Sequence, residues 1–194
     1  MTPADRAPRS LSLLCHYRWS VPVLDALQRG TSMGRVAPLL QLLGVTRPSL
    51  HRTIDGLVDR GLVRWNPGYG HPLRPELLLS DCGREVGRWC TRMLALADRA
   101  GARDLVLRKW ALACLAALHA GKQRFGELQH ALDGVTARAL NQALRQLIEE
   151  GMLARVVYDD VPPSVRYRLT AGGRKLARAA ILVPDVDPAP PNDP

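Results

Sequence analysis

The sequence predicts a mainly α-helical chain with small β-hairpins (an α+β fold), built from two tandem copies of one small domain joined by a helix. Three observations lead to this fold class: an internal repeat, apolar residues at helical spacing, and two short strand-like segments in each copy, which alternate partially between apolar and polar residues in the second copy. The 194 residues are enough for two such domains. The net charge of +9 suits a polyanionic partner, because clustered cations displace counterions from phosphates.

The repeat aligns the segment that begins at Trp19 with the segment that begins at Trp110, an offset of 91 residues. After one residue is dropped from the second copy, an offset of 90 pairs the Gly-Val-Thr turn of residues 44–46 with that of residues 134–136. Shared positions are mostly apolar residues and glycines, which set a core and its turns. We therefore predict a first domain (1–82), a linker or dimerisation-type helix (83–101), a second domain (102–183) and a disordered tail (184–194).

The first two elements of each copy are predicted to be helices. Val21 and Leu24, and in the second copy Leu112 and Leu115, mark a helix that ends at a glycine. A short second helix follows, over residues 34–42 in the first copy and 124–132 in the second.

A third helix begins after Thr46 or Thr136, each a suitable N-cap, and ends at Gly61 or Gly151. Its predicted core residues are Leu50, Ile54, Leu57, Leu140, Leu144, Leu147 and Ile148. Two strands then follow in each copy, at residues 62–65 and 76–80 in the first and 153–160 and 166–170 in the second. Helix, helix-turn-helix and β-hairpin is the order of a winged helix-turn-helix domain.

The connecting helix has an apolar stripe, which is expected to pack on the other copy or on a second chain. The stripe consists of Val86, Trp89, Cys90, Met93, Leu96 and Ala97.

The second copy, roughly residues 105–180, resembles the HxlR-type regulators, a branch of the MarR-like winged-helix superfamily. The resemblance is carried by Lys109-Trp110, by residues 124–128 (RFGEL), by the Gly-Val-Thr turn, by residues 149–152 (EEGM) and by Pro162-Pro163 with Tyr167 and Leu169-Thr170. The first copy matches the same family pattern less well. It has Trp19 and the Gly-Val-Thr turn, but it lacks the Arg-Phe of the second helix, and its wing has the different sequence NPGYGHPLRP. The resemblance implies a dimerising transcriptional repressor or activator that responds to small molecules or thiol oxidants.

The outward face of each third helix is the predicted DNA-reading surface, because the major groove admits an α-helix and shows each base pair a distinct pattern. The candidate DNA-binding residues are Arg47, Ser49, His51, Arg52, Thr53, Arg138, Asn141, Gln142 and Arg145. We predict a sequence-specific transcriptional regulator of double-stranded DNA whose two recognition helices form a pseudo-dimer in one chain. The chain itself is expected to be a monomer or a homodimer, and a small-molecule effector is a second candidate partner.

The hairpins supply further candidates for contact with the minor groove or with phosphates. These wing residues are Arg64, Tyr69, His71, Arg74, Arg155, Arg166 and Arg168. A charged hairpin edge that resists aggregation explains the same residues equally well.

A small-molecule-binding protein on the same scaffold, either sensing or sequestering its ligand, is the main alternative. In that case Trp19, Trp89 and Trp110 line a ligand cleft between the domains; otherwise they pack in the core. A protein-interaction module is a third reading of the fold.

Other classes are disfavoured by the residue pattern. We predict no enzyme, because no Ser/His/Asp arrangement, phosphate loop or paired acid cluster stands out. The five histidines and four cysteines lack metal-ligand spacing, so no metal or other cofactor is predicted. Redox-type relatives use a cysteine ahead of the first helix, near the place of Cys15, but buried structural thiols are the expected state here. Without an apolar run of about 20 residues the chain is predicted to be cytoplasmic, with no membrane partner.

Overall fold

The structure is a computed structural model that describes residues 3–66, 75–161 and 163–186. The helices in these ranges are α1 (Pro3–Leu14), α2 (Ser20–Gln28), α3 (Val36–Leu43), α4 (Arg47–Asp59), α5 (Asp81–Arg99), α6 (Arg103–Val106), α7 (Ala111–His119), α8 (Phe125–Ala131), α9 (Ala137–Glu149) and α10 (Ala171–Ala180). The strands are β1 (Val63–Asn66), β2 (Glu76–Leu79), β3 (Leu153–Tyr158) and β4 (Ser164–Leu169).

Each copy has three helices followed by an antiparallel hairpin and a closing helix. In the first copy α2, α3 and α4 precede the hairpin β1–β2, in which Val63 pairs with Leu79, and α5 follows. In the second copy α7, α8 and α9 precede β3–β4, in which Leu153 pairs with Leu169, and α10 follows. The predicted fold class, two tandem winged helix-turn-helix domains in a mainly helical chain, is confirmed.

The junction between hairpin and closing helix is built from the same hydrogen bonds in both copies. The backbone N–H of Ser80 donates to the Leu62 carbonyl at 3.1 Å, and the Ser80 hydroxyl accepts from the Gly83 N–H at 2.9 Å. Thr170 makes the equivalent bonds, to the Met152 carbonyl at 3.0 Å and from the Gly173 N–H at 3.1 Å. Every pair is offset by 90 residues, so the repeat extends to individual polar contacts.

The second helix shows that one part of the sequence alignment was wrong. Arg35 and Arg124 are the N-cap residues of α3 and α8, an offset of 89 rather than 90. The offset falls from 91 at the tryptophans to 89 at this N-cap, so the second copy has two residues fewer between the first and second helices. The offset then rises to 90 at the Gly-Val-Thr turn, so the second copy has one residue more between this N-cap and the turn. The pair Arg35-Val36 stands where the second copy has Arg124-Phe125, so the first copy lacks only the phenylalanine.

Six of the seven predicted core residues are buried, and Leu50, Ile54, Leu140 and Leu147 are each 0% exposed. The seventh, Ile148, is partly buried and packs against the same core. Gly61 and Gly151 end the third helices with φ of +64° and +68°, a conformation that glycine adopts without strain. Thr136 caps α9 by accepting from the Ala139 N–H at 3.2 Å, whereas Thr46 occupies the N-cap of α4 without a side-chain bond.

Helix α5, predicted as a linker, is the structural equivalent of α10 and closes the first copy. Its apolar stripe packs against α2 and α10. Two hydrogen bonds fix these contacts: Thr91 Oγ1 donates to Asp25 Oδ1 at 2.6 Å, and Trp89 Nε1 donates to the Ala179 carbonyl at 2.9 Å. The stripe therefore packs on both copies at once.

Helix α1 is absent from the sequence prediction, and it joins the two copies because it packs on α7 of the second copy. Its buried residues Ala7, Leu11 and Leu14 have the i, i+4, i+7 spacing of one helix face. Pro8 inside the helix hides this pattern, because proline removes an internal hydrogen bond and ordinarily ends a helix.

The start of the predicted disordered tail at residue 184 needs correction. Val186 is 1% exposed, and Asp185 forms an ion pair with Arg6 at 3.3 Å. The Asp185 carbonyl also accepts a bond from the Cys82 thiol at 3.5 Å. Residues 184–186 therefore pack against both ends of the first copy, and residues 187–194 lie outside the described ranges. Within those ranges no helix is both long and apolar enough to cross a membrane.

Candidate nucleic-acid interface

Helix α9 divides cleanly into a buried and an exposed face. Leu140, Leu144 and Leu147 are buried at helical spacing and hold the helix against the core. On the opposite face Arg138, Asn141, Gln142 and Arg145 are exposed, as predicted. The Asn141 amide donates to the Ala137 carbonyl at 3.0 Å, which fixes the direction of that side chain.

This exposed face has the chemistry of base readout. The two arginines lie seven residues apart, about 10 Å along the helix axis, with the two amides between them. Arginine binds guanine through two donors, and asparagine or glutamine binds adenine through a donor and an acceptor. Among the described residues neither Arg138 nor Arg145 pairs with a carboxylate, so both guanidinium groups are free to bind an external partner.

Helix α4 presents a different face. Arg47 and Arg52 are exposed, and Ser49 and His51 are half-buried. Thr53, predicted to contact DNA, is instead 1% exposed, and its hydroxyl donates to the Ser49 carbonyl at 3.0 Å. It lies three residues after Leu50 and so shares the inward face, which removes it from the candidate site.

The outward positions of α4 that equal those of Arg138 and Arg145 are occupied by Pro48 and Asp55. Asp59 extends the exposed acidic row by one turn. Glu149 stands at the same place in α9, so the two reading faces differ mainly in Pro48 against Arg138 and in Asp55 against Arg145.

The second hairpin places Arg155 and Arg168 in solvent, whereas Arg166 is held within the wing. Arg166 contacts Asp160 at 3.3 Å and lies 4.4 Å from the centre of the Tyr158 ring. A hydrogen bond from Ser164, followed by the charge of Arg166, lowers the pKa of Asp160. Asp160 therefore stays ionised, and Arg166 balances its charge within the hairpin, which reduces the repulsion between Asp160 and a phosphate.

The first hairpin exposes Arg64 on β1. The other wing candidates of this copy, Tyr69, His71 and Arg74, lie outside the described residues.

The three tryptophans do not line one common cleft, so that prediction is wrong. Trp89 is 2% exposed and bonded to α10, whereas Trp19 and Trp110 are half-buried at the start of α2 and α7. Arg18 lies 5.5 Å from the Trp19 ring, and Lys109 lies 4.8 Å from the Trp110 ring, which are equivalent contacts at an offset of 91. Trp110 does border a cavity beside α9, together with Lys109 and with two arginines, Arg18 and Arg108, that the sequence patterns did not single out.

Each copy has a helix-turn-helix whose last helix carries exposed cations, and a hairpin wing follows it. These features define a winged helix-turn-helix protein. Comparison with known families supports this class in both halves of the chain. Residues 105–183 match the HxlR-like helix-turn-helix family, and residues 20–67 match the IclR helix-turn-helix domain. The second copy is similar to the HxlR-like helix-turn-helix family, which agrees with the resemblance that its motifs carry. The first copy matches a different family, so the repeat rests on the paired hydrogen bonds and element order described above.

Three similar proteins are described as HTH-type transcriptional regulators. An uncharacterized HTH-type transcriptional regulator of Synechocystis sp. is 42% identical over 80 residues, 41% of this chain and 59% of that protein. YtcD of Bacillus subtilis is 41% identical over 38% of this chain and 58% of its own length. YtfH of Escherichia coli is 35% identical over 41% of this chain and 64% of its own length. The chain thus spans less than two thirds of these relatives, and no solved structure matches it significantly.

Proposed function

We propose that this chain is a sequence-specific, double-stranded DNA-binding transcriptional regulator that uses two recognition helices in one chain as a pseudo-dimer. The exposed α9 face carries the proposal: two arginines that pair with no carboxylate of the described residues flank two amides, above a buried leucine row. The names of the relatives of the second copy, HTH-type transcriptional regulators, support it.

The pseudo-dimer follows from the repeat. Dimeric helix-turn-helix proteins place two recognition helices in successive major grooves, about one helical turn apart. In this chain α4 and α9 are the equivalent helices of two copies that are joined through α1, α5 and α10. Because their exposed faces differ, the proposed operator is asymmetric, and its α9 half-site supplies most of the specificity.

The test is fluorescence anisotropy with a duplex from upstream of the protein's own gene and a scrambled duplex of equal length, over a series of salt concentrations. The variant Arg138→Ala with Arg145→Ala removes both cations of the α9 face. The matched control, Lys175→Ala with Arg178→Ala, removes two exposed cations from α10, which packs on α7 rather than on α9.

We expect wild type and the α10 control to prefer the upstream duplex. The α9 variant should lose about tenfold or more in affinity for each base contact, and its salt dependence should be shallower. Weak binding that is equal for both duplexes and unaffected by the α9 variant would refute the proposal. Footprinting tests the geometry separately, since protection of a single groove segment contradicts simultaneous use of both helices.

A further inference from the structure

A cavity of about 470 Å³ lies beside the recognition helix of the second copy. It is bordered by the turn between α1 and α2 (residues 15–18), by the segment from α6 to α7 (104–111) and by one side of α9, and it is open to solvent. The cavity therefore combines residues from both halves of the chain. Its volume falls in the range of about 300–1,000 Å³ that is typical of small-molecule sites.

The lining of this cavity is strongly cationic. Arg18, Arg108 and Lys109 border it together with His16, and Asp104 is the single carboxylate that does so. Within the described part of the chain no carboxylate lies within 4.0 Å of these three cations. Burial lowers the pKa of His16, and the charges of Lys109 and Arg60 lower it further. Because Asp104 alone opposes three cations, the protein compensates the positive charge of the site only in part.

The rest of the lining is apolar or neutral. The Trp110 ring and the methyl groups of Ala139 and Ala143 form an apolar wall, and the amides of Gln142 and Gln146 lie on the same side of α9. Lys109 lies 4.8 Å from the Trp110 ring, so a cation and an aromatic surface are adjacent. Such a lining fits a molecule that has one anionic group and one flat apolar group.

The fold does not require this cavity, because the equivalent place in the first copy is filled. The counterparts of Arg108 and Gln146 are Tyr17 and Gly56, and the Tyr17 ring lies directly on the glycine. A Cβ atom at position 56 would overlap that ring. Where the first copy has a packed Tyr-Gly pair, the second copy has an Arg-Gln pair that lines the open cavity.

We propose that this cavity binds a small aromatic anion, either a carboxylate or a phosphate monoester, with the anionic group on Arg18, Arg108 and Lys109 and the ring against Trp110. Gln142 borders the cavity and also belongs to the exposed α9 face, so an occupant alters the side chain that is proposed to read DNA. The coupling to DNA rests on the proposed function, whereas the binding itself does not.

The binding is tested on the full chain without DNA, by isothermal titration with benzoate and phenyl phosphate and with benzyl alcohol as the uncharged probe. We expect saturable binding of at least one anion with a Kd of about 1 mM or below, and none of the alcohol. Arg18→Gln with Lys109→Gln should weaken binding at least about tenfold. Lys175→Gln with Arg178→Gln makes the same change in charge at exposed positions of α10 and should bind like wild type.

A second variant tests the cavity by its shape. Arg108→Tyr with Gln146→Gly copies the residues that fill the equivalent place in the first copy, and it should abolish binding while the thermal unfolding transition is retained. Lack of anion binding by the wild-type chain overturns the proposal, as does equal binding by the filled variant. If the Arg18/Lys109 variant loses DNA affinity and no probe binds, these cations serve DNA phosphates and the small-molecule site is refuted. Conversely, anion binding by a chain that binds no DNA refutes only the proposed function.

Discussion

The indole Nε1 of Trp89 donates a 2.9 Å hydrogen bond to the carbonyl oxygen of Ala179, the residue 90 positions later that occupies the equivalent place in α10. The two closing helices therefore meet at corresponding positions, as related helices do where they cross a twofold axis. Ala179 leaves room for the indole, so the contact is asymmetric although the helices are equivalent. This bond joins the two copies at a buried site, since Trp89 is only 2% exposed.

Trp89→Phe is predicted to lower the free energy of unfolding by about 2 kcal/mol. The substitution leaves the Ala179 carbonyl without its partner and opens a void beside α10. The measurement is urea unfolding followed by circular dichroism. Trp65→Phe is the control, because Trp65 is 40% exposed on β1 and should change stability by less than about 0.5 kcal/mol. Equal effects of the two substitutions would contradict a specific role for the α5–α10 contact.

Gly173→Ala is predicted to be strongly destabilising, by about 1–3 kcal/mol. A Cβ atom at Gly173 would overlap the Met152 carbonyl oxygen, which is the acceptor that fixes the end of the hairpin to α10. Gly172→Ala is the matched control one residue earlier, where a Cβ meets the Met152 sulfur at an ordinary 3.5 Å. Urea unfolding should show a loss for the first variant and no loss for the second. Similar stabilities would mean that the hairpin moves to accommodate a methyl group.

The sequence predicted the repeated core because periodic leucines and helix-ending glycines are local signals. Leu140, Leu144 and Leu147 fix one face of α9, and the remaining polar positions follow from that face alone. Thr53 was misassigned because a threonine at an inward position carries no marker beyond its distance from Leu50. Its burial depends on how closely α4 packs, which is a tertiary property.

The parts that could not be predicted involve contacts between distant segments. Pro8 makes the segment of α1 look irregular in the sequence. The apolar residues at helical spacing are explained only by the packing of α1 on α7, which is a contact between distant segments. The cavity beside α9 joins His16 and Arg18 to Arg108 and Lys109, some 90 residues later. Each of these side chains, taken alone in the sequence, is indistinguishable from an ordinary solvated residue.

The cysteines are predicted to differ sharply in reactivity towards a thiol reagent. Burial raises the pKa of Cys15 and of Cys114 to about 12, and burial with the nearby Cys15 and Asp25 raises that of Cys90 well above its usual value. A raised pKa leaves less thiolate, so at pH 8 a thiol with a pKa of about 12 is ionised in about one molecule in 10⁴.

A disulfide-exchange reagent should therefore label only one thiol of the folded chain at pH 8 and all four in denaturant. The reactive thiol should be Cys82, which is exposed. Its labelling should still be slow, because partial burial, Glu85 and Asp185 raise its pKa too. Cys82→Ser should abolish labelling of the folded chain. Rapid labelling that survives this substitution would reveal an accessible second thiol and reopen a redox role for Cys15 or Cys90.

Asp55→Asn is predicted to tighten DNA binding through the first copy. Asp55 is exposed on α4 at the place of Arg145 in α9, where its charge repels a phosphate that the arginine would attract. Anisotropy titrations should show a several-fold gain in affinity at low salt that shrinks as salt is added, and Asp55→Arg should steepen the logarithmic salt slope by about 1.

Glu85→Gln makes the same change in net charge on α5 and should give a smaller gain, since α5 packs against α2 and α10 rather than α4. Equal gains in affinity for Asp55→Asn and Glu85→Gln would mean that the gain comes from net charge alone and not from the position of Asp55. No gain for either Asp55 variant would place α4 away from the DNA and leave α9 as the single recognition helix.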